Sequence, residues 1–249
     1  MSITSDDLDC NIELDEWDCK FPHYTTKTTP STLYPRCIQP FAAIISSGRN
    51  QGKSVLLKDM YRRAWKGKFD IVVLFSNTVG NGFYDKFLPE DYIRSSTYDE
   101  ELLLNLYDSL EEYKEIHGKY LNTLVLFDDC IDKSQLHSKP LTDIFTLGRH
   151  RGVSICFITQ TPTLVSTVWR SNITHMFNLY TRGPSKAHII NNFITEIIDD
   201  SEIGSCSLTE YANKILKATY RKKYRVLVIE FEKNGTCLKD NAKWFIADP

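Results

Sequence analysis

The sequence predicts an α/β fold in which a mostly parallel central sheet is flanked by helices. Three observations carry that reading. First, runs of strand length are apolar almost without interruption, as in FDIVVLFS (69–76), LNTLVLFD (121–128) and GVSICFIT (152–159). Strands apolar on both sides are covered on both faces, as in a parallel sheet between helices. Second, those runs alternate with stretches of helical periodicity, the pattern of βαβ units. Third, FAAIISSGRNQGKSVLL (41–57) passes from an apolar strand through a polar loop into a helix.

Taken in order, residues 1–36 are acidic and then rich in Thr, Pro, Ser and Tyr. They read as an arm that docks on the domain or on a partner, with Trp17, Phe21 and Tyr24 as anchors. Residues 37–249 read as the domain proper. A strand over 38–46 leads into a helix from Lys53 to about Trp65, on which Lys58, Arg62, Arg63 and Lys66 form a solvated face. The second strand is 69–76, and Asn77 to Pro89 is a loop with Gly80 and Gly82. Leu102, Leu103, Leu106, Leu110 and Tyr113 recur at helical spacing and predict a helix from Glu100 to about Ile116 with that stripe in the core. A third strand over 121–128 ends in Asp128-Asp129, and 131–138 is a polar loop. A short helix from Leu141 to about His150 precedes the fourth strand, 152–159, which is followed by Gln160. Next come a short helix (164–171), a fifth strand (173–180), helices near 185–194 and 207–219, and late strands at Tyr224–Glu232 and Trp244–Ala247. Asn234-Gly235 signals a turn between those two strands.

The chemistry sits at strand ends. Gly52-Lys53-Ser54 closes a phosphate-binding loop whose cradle comprises Ser47, Gly48, Arg49, Asn50, Gln51, Gly52, Lys53, Ser54 and Val55. Glycine lets backbone approach a triphosphate, and successive N–H groups at a helix N-terminus hold its oxygens. Lys53 would reach the β/γ-phosphates and the Ser54 hydroxyl would ligate Mg²⁺. Ser47 stands where the usual G-x-x-x-x-G-K-[ST] pattern has its first glycine, so Gly48 is expected to supply the unusual dihedrals. The plain alternative is a polar turn capping an ordinary helix, and the strand–loop–helix context argues against it.

Asp128 ends an apolar strand, where a carboxylate is costly to bury without a partner; beside a phosphate loop that partner is Mg²⁺. Asp129 would then orient or deprotonate an attacking water, although an acidic pair after a strand can also cap a helix. The Gln160 amide could hold that water or sense the γ-phosphate. In open α/β sheets, ligands bind at the carboxyl ends of strands, where the phosphate loop, Asp128-Asp129 and Gln160 all fall. A guanidinium can stabilise phosphoryl transfer in cis or in trans. Arg49, inside the loop, could serve its own subunit's nucleotide, while Arg149, Arg151 and Arg170 could reach a neighbour's in a ring. His150 reads as a polar surface or interface residue.

Charge is uneven. The net value is −2, but residues 1–20 hold seven acids against Lys20, leaving 29 basic and 25 acidic side chains beyond them. A balance of +4 is not the strong footprint of a dedicated nucleic-acid binder, and it does not exclude DNA contact. The seven cysteines form no C-x-x-C, so free thiols in a reducing compartment are expected, and zinc on Cys10 or Cys19 with His23 lacks ligand spacing. An acidic N-terminus without an apolar h-region, and the lack of a run near the roughly 20 residues that span a bilayer, predict a soluble intracellular protein with no transmembrane segment.

The succession SGRNQGKS, LVLFDDC, GRHRGVSICFITQT and VWRSNIT resembles the viral genome-packaging ATPases of the FtsK–HerA superfamily, the poxvirus-type motors of large DNA viruses and virophages. The resemblance covers roughly residues 38–182, and GRHRGVSICFITQ followed by WRSN is its more specific part. It implies a P-loop NTPase fold of RecA/ASCE type and ATP with Mg²⁺ as cofactors. Lys53 and Ser54 take the phosphate and Mg²⁺ roles, Asp128 and Asp129 are the Walker B acids, and Gln160 is the polar sensor. Arg149 and Arg170 fall in the family's Arg-containing blocks; Arg49 is similar to the cis-acting arginine in the phosphate loops of terminase-type packaging ATPases. The resemblance further implies a homo-oligomeric ring that drives double-stranded DNA into a preformed capsid. It implies a docking protein on the capsid, portal or membrane, and work in the host cytoplasm at assembly sites or with the virion. Residues 183–249 carry no assignable motif. A small P-loop nucleotide kinase and a non-catalytic nucleotide-binding assembly protein are the alternatives.

Overall fold

In a computed structural model, residues 40–231 and 238–248 are described. The predicted arm, Cys10, Cys19, Cys37, Cys237, His23 and the Asn234-Gly235 turn lie outside the described residues; Cys130, Cys156 and Cys206 are free thiols.

One eight-stranded sheet forms the centre. Its strands are β1 (Ala42–Ser46), β2 (Ile71–Ser76), β3 (Ile93–Ser95), β4 (Thr123–Asp128), β5 (Val153–Thr159), β6 (His175–Asn178), β7 (Arg225–Glu230) and β8 (Ala242–Ile246), in the order β3-β2-β4-β5-β1-β6-β7-β8. From β3 through β6 every pairing is parallel; β7 runs antiparallel to both β6 and β8. The helices are α1 (Lys53–Met60), α2 (Glu100–His117), α3 (Lys139–Leu147), α4 (Thr167–Arg170), α5 (Gly183–Ile189), α6 (Leu208–Thr219) and α7 (Leu238–Asn241). The predicted α/β fold with a mostly parallel sheet is therefore the observed one.

The two-residue strand period sorts the apolar runs onto two faces. Ile44, Phe75, Val125, Phe127, Ile155 and Phe157 join Leu103, Leu106 and Leu110 of α2 and Ile215 of α6 in one core. Ile45, Leu74, Leu124, Leu126, Cys156 and Ile158 join Leu56 and Leu57 of α1 in the other. Of the stripe predicted on α2, Leu102 and Tyr113 sit at its margin, while Tyr107 is buried instead. Asp99 caps α2 by accepting Leu102 N–H (3.0 Å), and Gly118 ends it in the left-handed region. Trp169 explains the WRSN block structurally: it is fully buried, stacked on Phe145 at 4.5 Å and edge-on to Phe157.

Four readings need correction. Strand β3 falls outside the expected elements, because its three residues carry no buried apolar run. The helix expected to about Trp65 does run that far, but after Met60 it widens into a π-helical turn, Tyr61–Trp65, and α5 continues likewise into a π turn, Ile190–Ile194. Arg63 is not merely solvated, since it pairs at 2.6 Å with buried Asp59 and at 3.3 Å with Asp248. Arg151, offered as a residue that reaches a neighbour, is tied to its own subunit by Glu111 at 3.0 Å and lies over the Tyr107 ring. Among the described residues no helix is long and apolar enough to cross a membrane.

Candidate nucleotide site

The parallel strands β1, β4 and β5 end on the same sheet edge, and the loops leaving them surround a cavity of about 590 Å³. Its walls are residues 48–55 of the β1–α1 loop, Asn77 and Thr78 after β2, Asp128 and Asp129 after β4, Gln160 after β5, and Tyr224. A volume in that range suits a small-molecule ligand.

The loop is pinned from below. Ser47, fully buried, donates its N–H to Thr159 O (3.3 Å) and its hydroxyl to Gly48 O (2.9 Å). It anchors the cradle and does not line the cavity. The expectation that Gly48 supplies the unusual dihedrals is corrected. The left-handed residues are Asn50 (φ 58°) and Gly52 (φ 100°), while Gly48 is needed for close approach, its N–H donating to Tyr180 O at 2.8 Å. At Gly52 a Cβ would lie 2.6 Å from the Tyr224 ring. Gly52→Ala therefore meets both a forbidden dihedral and a clash, and is expected to cost about 2–3 kcal/mol of stability, together with nucleotide binding. Denaturant unfolding and nucleotide titration check this; an unchanged midpoint would refute it.

Asp129 is the hub. Its own φ is 48°, a left-handed conformation that a short polar side chain tolerates, and its N–H donates to Ile158 O at 3.0 Å. That turn points the carboxylate inward. Lys53 Nζ lies 2.8 Å from Oδ2, the Gln160 amide nitrogen Nε2 donates to Oδ2 at 2.7 Å, and the Gln160 backbone N–H donates to Oδ1 at 2.9 Å. Asn77 Nδ2 donates to the Asp129 carbonyl at 3.0 Å. Three predicted residues, distant in sequence, are thus in direct contact.

Asp128 sits deeper. Burial pushes its carboxyl up to about 6; Asp129 adds to the rise, whereas the Tyr84 hydrogen bond and Lys53 pull the other way. Tyr84, almost fully buried, donates its hydroxyl to Asp128 Oδ2 and shares a hydrogen bond with Ser76 Oγ at 3.1 Å. Burial also raises the Tyr84 phenol well above its usual range, so it stays a donor. Magnesium fits this donor set. Ser54 and Asp128 both line the cavity and offer hard oxygens, and Mg²⁺ is commonly held by one or two protein oxygens with phosphate and water.

Arg49 lines the cavity, whereas Arg149 and Arg170 do not. Arg149 stands exposed in the turn before β5, at the opposite sheet edge, and Arg170 closes α4, donating to Thr167 Oγ1 at 3.1 Å. Sequence reasoning missed Asn77, Thr78, Tyr84 and Tyr224. Asn77 was discoverable as the residue following a strand's carboxyl end; the two tyrosines carry no local signal.

A family model described as "Poxvirus A32 protein" matches residues 36–239. The chain belongs to the poxvirus A32 family. Among similar proteins, the DNA packaging protein OPG160 of Variola virus is 29% identical over 148 residues, which is 56% of this chain and 54% of that protein. OPG160 of Vaccinia virus (strain Western Reserve) gives the same figures. This chain thus spans about half the length of the relatives it matches. The fold agrees with B204, the DNA-packaging ATPase from Sulfolobus turreted icosahedral virus, at a TM-score of 0.58 and 15% identity, over 85% of this chain and 100% of that one. The pCW3 conjugation coupling protein TcpA agrees at 0.56 and 15% identity, over 84% of this chain and 60% of that one. At these identities the likeness establishes a shared fold.

Proposed function

We propose that this A32-family chain is an ATP-hydrolysing motor that moves double-stranded DNA into a preformed viral capsid. The observation that carries the reading is the contact of Lys53, Asp129 and Gln160 beside Asp128 and Ser54 at one sheet edge. The names of its relatives, DNA packaging protein and DNA-packaging ATPase, support it.

Lys53 is held by Asp129. A triphosphate entering the cradle offers Lys53 oxygens of higher charge, so the ammonium exchanges carboxylate for phosphate. Asp129, relieved of its cation, accepts the proton of the attacking water, while Gln160 keeps the carboxylate aimed and can hold the water. Ser54 and Asp128 would hold Mg²⁺, which would supply charge neutralisation on the phosphates. Arg49 is placed to reach the same nucleotide; Arg149 and Arg170 would act only on that of a neighbour in a ring. The ring, the docking protein on capsid, portal or membrane, and a place at cytoplasmic assembly sites or on the virion belong to this proposal. So does duplex grip through phosphates, with little sequence preference and strong salt dependence.

Phosphate release by the purified chain, with and without duplex DNA, tests it. Mg²⁺-dependent hydrolysis stimulated by duplex is expected. Transfer to a small nucleotide acceptor without a DNA effect would mark a kinase, and neither activity in folded protein would mark an assembly protein.

A further inference from the structure

Two hollows run on from the nucleotide cavity. The first shares Gln51 and Tyr224 with it, and the second joins the first through Tyr180 and Tyr220. They are built where the β6–α5 loop meets the turn between α6 and β7. Arg182, Lys186, Lys217, Arg221, Lys222 and Lys223 stand on their walls, and among the described residues no Asp or Glu does. Nor does any of these six pair with a carboxylate among the described residues. All but Lys186 are exposed, and Lys223 lies over the Tyr224 ring at 4.8 Å.

Protein surfaces ordinarily intersperse the two signs of charge; a one-sign cluster raises the local potential at the expense of self-repulsion. The chain beyond residue 20 is only mildly basic, so this concentration is local. We infer that this surface grips the phosphate backbone of duplex DNA. The inference rests on the motor reading and names the residues that carry it out. The surface also touches the phosphate loop: the Tyr180 carbonyl accepts the Gly48 N–H at 2.8 Å, and the Tyr224 ring packs against Gly52. Duplex seated here bears directly on the backbone that holds the nucleotide, which links DNA occupancy to hydrolysis.

The test uses the full chain and the triple variant Arg221→Ala/Lys222→Ala/Lys223→Ala, with a random duplex of about 40 base pairs followed by anisotropy across a salt series. Three lost phosphate contacts should flatten the slope of log affinity on log salt by about 2–3 and weaken binding roughly tenfold or more. DNA-free hydrolysis and the unfolding midpoint should match wild type, while stimulation by duplex is lost. A triple variant that binds duplex with the wild-type slope overturns this surface and leaves the motor reading standing. A wild-type chain that splits ATP but binds no duplex, or binds only single strands, overturns both.

Discussion

Asp129→Asn is expected to slow ATP turnover about a thousandfold while leaving ATP affinity unchanged or a few-fold tighter. The two effects have one geometric origin. Both carboxylate oxygens already accept: Oδ2 from Lys53 and from Gln160 Nε2, Oδ1 from the Gln160 backbone N–H. An asparagine amide would turn one N–H₂ group towards a donor whichever way it sits, and it cannot take a proton from water. Lys53, losing its carboxylate, no longer has to leave an ion pair to reach phosphate. That pair is partly solvent-exposed, so its release adds little, on the order of 1 kcal/mol or less. Single-turnover hydrolysis and equilibrium binding of a fluorescent ATP analogue separate the two terms. Loss of binding in step with loss of turnover would make Asp129 a positioning residue for Lys53 and Gln160 and not the base.

What the sequence disclosed follows from where buried and chemical signals coincide. The strands before the phosphate loop, Asp128 and Gln160 are apolar on both faces, so their ends could be read, and in a parallel sheet those ends share an edge. Strand β3 has no such signature, with Ile93 and Arg94 both exposed at the sheet margin. Tyr84 reaches Asp128 across 44 residues of chain, and Tyr224 arrives from the far end of α6. Neither approach is written in local pattern. Dihedral assignment failed at Gly48 because a glycine there answers to close approach of the Tyr180 carbonyl, while the left-handed positions are Asn50 and Gly52. The arginines were legible as chemistry but not as geometry, since Arg49 and Arg149 occupy opposite sheet edges.

Asp128→Asn should make the ligand-free protein more stable at pH 8 while impairing its response to magnesium. The wild-type carboxyl is pushed up from 3.8 to about 6, chiefly by burial. The folded state therefore holds a proton that the unfolded state has released between those values, and stability falls as pH rises through that window. Above about pH 6 the charged form carries its full penalty, at most about 3 kcal/mol for a shift of this size. Asparagine is neutral throughout and still offers an oxygen to the Tyr84 hydroxyl. The unfolding midpoint should rise by roughly 5–10 °C at pH 8, with the gain vanishing below pH 4. Wild-type ATP binding in magnesium should weaken as pH drops below about 6, whereas the variant should bind weakly and without that pH dependence. A destabilised variant at pH 8 would mean that the charge anchors the fold. The expected gain would mean the reverse: this carboxylate is kept at a structural cost because a cation, not the protein, completes its surroundings.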